Sequence, residues 1–182
     1  MDQDRVLLDE VIQDENLLLR ARQFDDNAFV FEASRYKGFN DGMSWSAPEK
    51  LQETEPHYHS AVTRWIEGQA FTFIVVEKKT NQRAGMIEIR KTEVERVWDI
   101  GYWMHPAKQN KGFMTNAVKL IIEFGFKRLG AEKIEAKYAT WNLASEKVLE
   151  KNGMVKAGKI EKGFEKNGKW IAVYKMEVKK NK

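Results

Sequence analysis

Apolar residues follow two different spacings along the chain, and each spacing predicts a different element. Dense apolar runs of about five to eight residues favour strands, whereas apolar residues three or four apart favour helices. The clearest helical pattern covers about residues 112–128. Its apolar face consists of Ala117, Val118, Ile121, Phe124 and Gly125. A long amphipathic helix is therefore expected in the second half of the chain.

The same criteria divide the rest of the chain into strands and helices. Strands are predicted over residues 17–22, 70–76, 83–89, 96–104, 133–138, 154–160 and 170–176. Helices are predicted over residues 26–36, 55–67 and 142–152, with a further short helix within residues 1–14. Residues 37–45 are rich in glycine, asparagine, aspartate and serine, which disfavour helices and strands. They are expected to form a loop, either packed onto the core or acting as a substrate-side lid. This order indicates a mixed sheet with helices packed on it.

Composition narrows the class of protein. The 182 residues are expected to form one domain, 1–182, with 42% hydrophobic and 32% charged residues. Cysteine is absent, and no apolar run approaches the roughly 20 residues that span a bilayer. We therefore expect a cytoplasmic protein that does not bind membranes. The net charge of +4 comes from scattered lysines, which favours a solvated surface over a nucleic-acid site.

The turn at Gln109–Thr115 is a candidate anion site. It lies between a predicted strand and the long helix, where free backbone N–H groups and the helix dipole favour a phosphate. Gly112 allows close approach, Asn110 tolerates a left-handed backbone, and Lys111 adds positive charge. An ordinary helix start is the alternative, because the turn matches neither the P-loop nor the dinucleotide fingerprint.

Several motifs around this turn resemble one family. They are Ile100-Gly101-Tyr102-Trp103, Pro106, Gln109 to Thr115, Asn142-Leu143-Ala144-Ser145 and Glu150-Lys151-Asn152-Gly153-Met154. Their order and spacing resemble the GCN5-related N-acetyltransferase (GNAT) superfamily, particularly its ribosomal-protein N-terminal (alanine/serine) acetyltransferase branch. Asn110 stands where that family usually has glycine, and Met114 stands where a small residue is usual.

The resemblance implies a fold, a cosubstrate and a set of binding residues. The implied fold is α+β, with a central, mostly antiparallel mixed sheet of about seven strands and helices on both faces. The implied cosubstrate is acetyl-CoA. Its pantetheine arm would pair with the backbone of the strand predicted over residues 96–104 and would also contact Asn142. Its pyrophosphate would bind in the turn at Gln109–Thr115. The implied binding residues are Trp103, Met104, His105, Gln109, Asn110, Lys111, Gly112, Phe113, Met114, Thr115 and Asn142.

The catalytic residues are less closely defined by the resemblance. Many members donate a proton to the leaving thiolate from a tyrosine, but Leu149 occupies that position. The branch instead indicates Ser145, whose alternative role is that of an ordinary residue in a first helical turn. Asp99 is the leading candidate for a general base that deprotonates the amine, with Glu88 and Glu165 as other candidates. The three histidines form no metal set, so no metal is expected.

The acceptor is the least defined part of the interpretation. The resemblance implies direct transfer of an acetyl group to a primary amine in a ternary complex, with the N-terminus of a ribosomal or other protein as one candidate acceptor. A polyamine or aminoglycoside is an alternative acceptor, and a non-catalytic acyl-CoA-binding module is an alternative function. Acceptor binding in this superfamily depends on variable segments, here residues 37–60 and 161–170. Either a monomer or a homodimer is compatible with the sequence.

Overall fold

A computed structural model describes residues 6–180, which form eight strands and four α-helices in the described part of the chain. The strands are β1 (Val11–Gln13), β2 (Leu17–Ala21), β3 (Ala70–Glu77), β4 (Gln82–Lys91), β5 (Val97–Met104), β6 (Lys133–Ala139), β7 (Val155–Lys166) and β8 (Lys169–Lys179). The helices are α1 (Asp26–Ser34), α2 (Glu55–Ile66), α3 (Phe113–Lys127) and α4 (Leu143–Lys151). Short 3-10 turns cover Leu51–Thr54 and Pro106–Lys108.

All eight strands belong to one sheet, in the order β1-β2-β3-β4-β5-β6-β8-β7. Every neighbouring pair is antiparallel except β5 and β6, which run parallel and are connected through α3. The predicted mixed and mostly antiparallel sheet is confirmed. Its seven predicted strands are all present, and β1 is an eighth.

Apolar side chains fill two clusters on opposite faces of the sheet. The larger cluster lies under α3, where Phe124 packs edge-on against Phe71 and Phe73 of β3. Gly125 lets α3 approach closely, because a Cβ atom there would lie 2.7 Å from the Cδ1 atom of Ile134. The smaller cluster joins α1 to Trp103 of β5. Helices therefore cover both faces, as expected.

Two local predictions are wrong. The short helix predicted within residues 1–14 is replaced by β1 over Val11–Gln13, while residues 1–5 lie outside the described residues. Strand β1 forms because it pairs with β2, a tertiary contact that local residue spacing does not reveal. Strand β7 extends to Lys166 instead of ending near residue 160, and it pairs with β8 through two register shifts. Within residues 6–180, no helix is both long and apolar enough to cross a membrane.

Candidate active site

A cleft opens in the sheet where β5 and β6 separate. Their parallel pairing ends at Ile100 and Ala136. Beyond this point β5 continues to pair with β4 as far as Met104, while β6 continues to pair with β8 as far as Ala139. The resulting cleft has a volume of about 860 Å³ and lies between α3, α4 and the loop after α1.

The free end of β5 directs backbone groups into this gap. Successive residues of a strand direct their N–H and C=O groups to opposite sides. The N–H of His105 donates to the carbonyl of Ala84 on the β4 side, at 2.9 Å. The backbone groups of Tyr102 and Met104 therefore point to the side that β6 has left. The backbone of Trp103 points to β4, although the residue also lines the cleft.

His105 is a predicted site residue that the structure does not bring to the cleft. Its carbonyl accepts from the N–H of Lys108 at 2.8 Å, so its backbone groups already have partners. Its ring stacks on Phe29, and its Nδ1 accepts from the N–H of Ala107 at 3.2 Å. Because Nδ1 is an acceptor, Nε2 carries the proton and faces Glu32 at 3.2 Å.

The turn at Gln109–Thr115 has the backbone expected of an anion site. Asn110 and Gly112 adopt left-handed conformations, with φ of 60° and 78°. Helix α3 starts at Phe113, and no side chain caps its first N–H groups. Met114, which replaces the usual small residue, is buried in the core cluster and also lines the cleft.

Ser145 lies at the start of α4 and forms a hydroxyl pair with Tyr102. The two hydroxyl oxygens are 2.8 Å apart, and either group can donate. The Oδ1 atom of Asn142 accepts from the N–H of Ser145 at 3.1 Å, which caps the helix and fixes the serine backbone. Burial raises the pKa of Tyr102 well above its usual value, so its hydroxyl stays protonated.

Sequence reasoning does not single out Tyr102 as a residue of the candidate site. It belongs to the motif Ile100-Gly101-Tyr102-Trp103, which assigns it no chemical role. Tyr102 contacts Ser145 because β5 and α4 pack side by side, and the spacing of residues along the sequence does not predict that packing. Leu149, at the family's tyrosine position, is fully buried in the core. The hydroxyl groups of Tyr102 and Ser145 are therefore candidate proton donors in a chain that has leucine at the family's tyrosine position.

The three candidate carboxylates lie away from this pair. Asp99 shares the face of β5 that carries Trp103, opposite to Tyr102, and forms an ion pair with Arg90. Glu88 accepts from the hydroxyl of Thr72 at 2.7 Å and also contacts Arg90 at 3.1 Å. Glu165 is exposed on β7. None of the three is among the residues that line the cleft.

The cleft is strongly basic. Among the described residues that line it there is no aspartate or glutamate, whereas six are lysines: Lys37, Lys108, Lys111, Lys137, Lys147 and Lys151. Lys108 is partly neutralised by Glu77 at 2.8 Å, and Lys137 is partly neutralised by Asp99 at 4.0 Å. The remaining charge favours an anionic ligand and disfavours a polycation. Across residues 6–180, no three histidine, aspartate or glutamate side chains are grouped so that they could hold a metal ion.

Known proteins with related sequences and folds agree on the family. The family model of the acetyltransferase (GNAT) domain matches residues 16–155. The uncharacterized N-acetyltransferase YnaD of Bacillus subtilis is 30% identical over 163 residues, which cover 90% of this chain and 93% of that protein.

Two solved structures with low sequence identity share the fold. One is the Salmonella typhimurium acetyltransferase that modifies the N-terminal serine of ribosomal protein L7/L12, with a TM-score of 0.85 and 18% identity over 94% of this chain and all of that one. The other is Vibrio cholerae spermidine N-acetyltransferase in complex with CoA and spermine, with a TM-score of 0.79 and 21% identity over 91% and 96% of the two chains. The chain belongs to the GNAT family and is an acetyl-CoA-dependent N-acetyltransferase.

Proposed function

We propose that the protein acetylates the α-amino group of a protein N-terminus. The observation that carries this proposal is a basic cleft whose lining within residues 6–180 holds no carboxylate, next to the hydroxyl pair of Tyr102 and Ser145. Acetyl transfer from acetyl-CoA to an amine is the reaction of the family, whereas the acceptor and the roles of individual residues are proposed here.

The residues present fit acetyl-CoA. Gln109–Thr115 would hold the pyrophosphate, because two left-handed residues and an uncapped helix start direct N–H groups outward. The backbone groups of Tyr102 and Met104 would hold the pantetheine arm in the gap between β5 and β6. Asn142, at the opposite wall, would position the start of α4. When bound, acetyl-CoA supplies an activated acetyl group and a thiolate leaving group.

The absence of a carboxylate among the described residues that line the cleft favours an acceptor that needs no strong base. An α-amino group has a pKa of about 7.7–8.0, so about a fifth to a third of it is neutral at pH 7.4. A lysine-like amine has a pKa of about 10.4, so only about one molecule in a thousand is neutral. Nearby lysines would further disfavour the protonated acceptor amine. After a neutral N-terminal amine has attacked the thioester carbonyl, water can take the proton that its nitrogen must lose.

The hydroxyl pair supplies the other proton that the reaction needs. Ser145 would donate to the sulfur as the thioester bond breaks, and Tyr102 would orient the serine hydroxyl. The new bond joins the amine nitrogen to the acetyl carbon. Because the amine releases a proton to water and Ser145, after protonating the thiolate, regains a proton from water, the protein has gained and lost no proton at the end of the reaction.

Acetylation of three acceptors tests the proposal. The protein is incubated with acetyl-CoA and a peptide with a free N-terminal serine and an internal lysine, the same peptide with a blocked N-terminus, or spermidine. We expect acetylation of the free peptide at its N-terminus and little of the other two. Preferential acetylation of spermidine would overturn the acceptor assignment. Binding of acetyl-CoA without transfer to a broad amine panel would instead indicate a non-catalytic module.

A further inference from the structure

Lys166 binds three backbone carbonyls of a distant loop. It is the last residue of β7, next to the turn at Asn167 and Gly168. Its Nζ donates to the carbonyls of Asn40, Met43 and Trp45 at 3.0, 3.2 and 2.7 Å. An ammonium group has three N–H donors and no acceptor, so each donor has one carbonyl partner.

These carbonyls belong to residues 37–46, here named the loop wall because several of its residues, including Phe39, Gly42 and Met43, line one side of the cleft. Its Phe39 ring packs edge-on against Trp103 of β5, with ring centroids 5.2 Å apart. At its other side, Gly42 lies against Trp141, where a Cβ atom would come within 3.2 Å of the indole. The position of the loop wall therefore sets the width of the cleft between Trp103 and Trp141.

The loop wall is held closed although two buried donors are unpaired. The side-chain amide nitrogen of Asn40 and the indole nitrogen of Trp103 have no hydrogen-bond partner within the described residues. Burying unpaired donors opposes closure, because both would gain water partners if the wall opened. A compensating contact is needed, and three charge-assisted hydrogen bonds from Lys166 provide it.

We propose that Lys166 is a positioning residue that holds the loop wall against the cleft and thereby determines acceptor binding. The inference rests on the proposed function, because it places the acceptor between this wall and the hydroxyl pair. Lys166 does not itself line the cleft. It joins the two segments, 37–60 and 161–170, on which acceptor binding is expected to depend.

Hydrogen exchange of the free protein tests the contact without any activity measurement. Lys166→Met keeps the aliphatic part of the side chain but removes the three N–H donors. Lys166→Arg keeps the charge, but its planar guanidinium group cannot direct donors at three converging carbonyls. Lys169→Met is the matched control, since Lys169 is exposed on the same hairpin. We expect faster amide exchange at residues 38–46 in both Lys166 variants and unchanged exchange in the control. Wild-type protection in Lys166→Met would overturn the contact.

Steady-state kinetics tests the effect on the acceptor. With the free N-terminal peptide, we expect KM for the peptide to rise about tenfold in Lys166→Met, within the range that small misplacements produce, while KM for acetyl-CoA stays unchanged. Faster exchange with an unchanged peptide KM would refute the positioning role. A wild-type protein that acetylates no N-terminal peptide would count against the proposed function, whereas the exchange result would still decide whether Lys166 holds the loop wall.

Discussion

Among individual residues, Tyr102 and Ser145 form the contact on which the proposed chemistry depends. Their oxygens are 2.8 Å apart, and the hydroxyl oxygen of Tyr102 is also 3.3 Å from the carbonyl oxygen of Ser145. Asn142 holds the backbone of the serine at the same time. Two side chains and a helix cap thus fix one hydroxyl at the cleft, which is the preorganisation that a proton donor requires.

Replacing Ser145 with alanine is expected to lower kcat about a hundredfold with little change in KM for acetyl-CoA, because general acid catalysis contributes about 10²–10⁴ in rate. Tyr102→Phe removes only the orienting hydroxyl and is expected to have a smaller effect. Steady-state kinetics with the peptide acceptor measures both. Ser60→Ala, at an exposed position on α2, is the control. Wild-type kcat in Ser145→Ala would exclude Ser145 from the mechanism.

Asp99 is expected to stabilise the sheet through its ion pair and not to act as the base. Burial alone would lower the pKa of Arg90, but the carboxylates of Asp99 and Glu88 raise it overall. Asp99→Asn removes a charge-assisted partner and is expected to reduce the free energy of unfolding by about 1–3 kcal/mol while leaving kcat nearly unchanged. Urea unfolding and peptide kinetics measure the two effects.

The matched control for Asp99 is Glu161→Gln. Glu161 forms an exposed ion pair with Lys159 at 2.9 Å, and such pairs contribute little to stability. A large loss of kcat in Asp99→Asn, without a loss of stability, would restore Asp99 as the general base.

Among the elements, the start of α3 is the proposed site of the CoA phosphates. Gly112 has φ of 78°, and a Cβ atom added to it would have no neighbour within 4 Å among the described residues. Gly112→Ala is therefore expected to cost about 1 kcal/mol of backbone strain and to weaken CoA binding about tenfold, because the N–H groups of the turn would shift. Calorimetric titration with CoA measures the affinity.

Gly130 offers a matched control for this effect. It follows α3, has φ of 66°, and has equally open surroundings for a Cβ atom. Gly130→Ala should lose similar stability without losing affinity for CoA. Equal affinities in the two variants would show that the turn does not hold the phosphates.

The elements also show how far local sequence patterns predict this fold. Helix α3 begins and ends within one residue of its prediction, because its apolar face matches the helical period over four turns. Strand β1 escapes prediction because three residues carry too little pattern and depend on pairing with β2. The end of β7 escapes it because Phe164 is the only apolar side chain between Glu161 and Lys166, so no apolar alternation marks this part of the strand.

At the scale of the whole molecule, charge is distributed in a way that the net value of +4 hides. The lysines around the cleft come from the loop wall, the turn, β6 and α4, which are far apart in sequence. The carboxylates of Asp99 and Glu88 both pair with Arg90, and Asp99 also lies 4.0 Å from Lys137 of the cleft. The turn could be located from its motif, but the basic lining and the Tyr102–Ser145 contact required the three-dimensional arrangement.

This arrangement predicts which group controls the pH dependence. With no carboxylate among the described residues that line the cleft, kcat/KM for the peptide should rise with pH as the acceptor amine loses its proton, with an apparent pKa near about 8. Burial raises the pKa of Tyr102, so its hydroxyl stays protonated over this range and causes no decline there. Rates measured between about pH 5.5 and 9.5 give the profile.

The identity of the controlling group follows from changing the acceptor. If the amine controls the rate, a peptide whose N-terminal pKa is about one unit lower should shift the rising limb down by about one unit. A carboxylate base on the protein would instead place the limb in the acidic range and hold it there for every acceptor. Because the described lining of the cleft supplies lysines and hydroxyls but no carboxylate base, we expect the rising limb of the pH profile to move with the pKa of the acceptor amine.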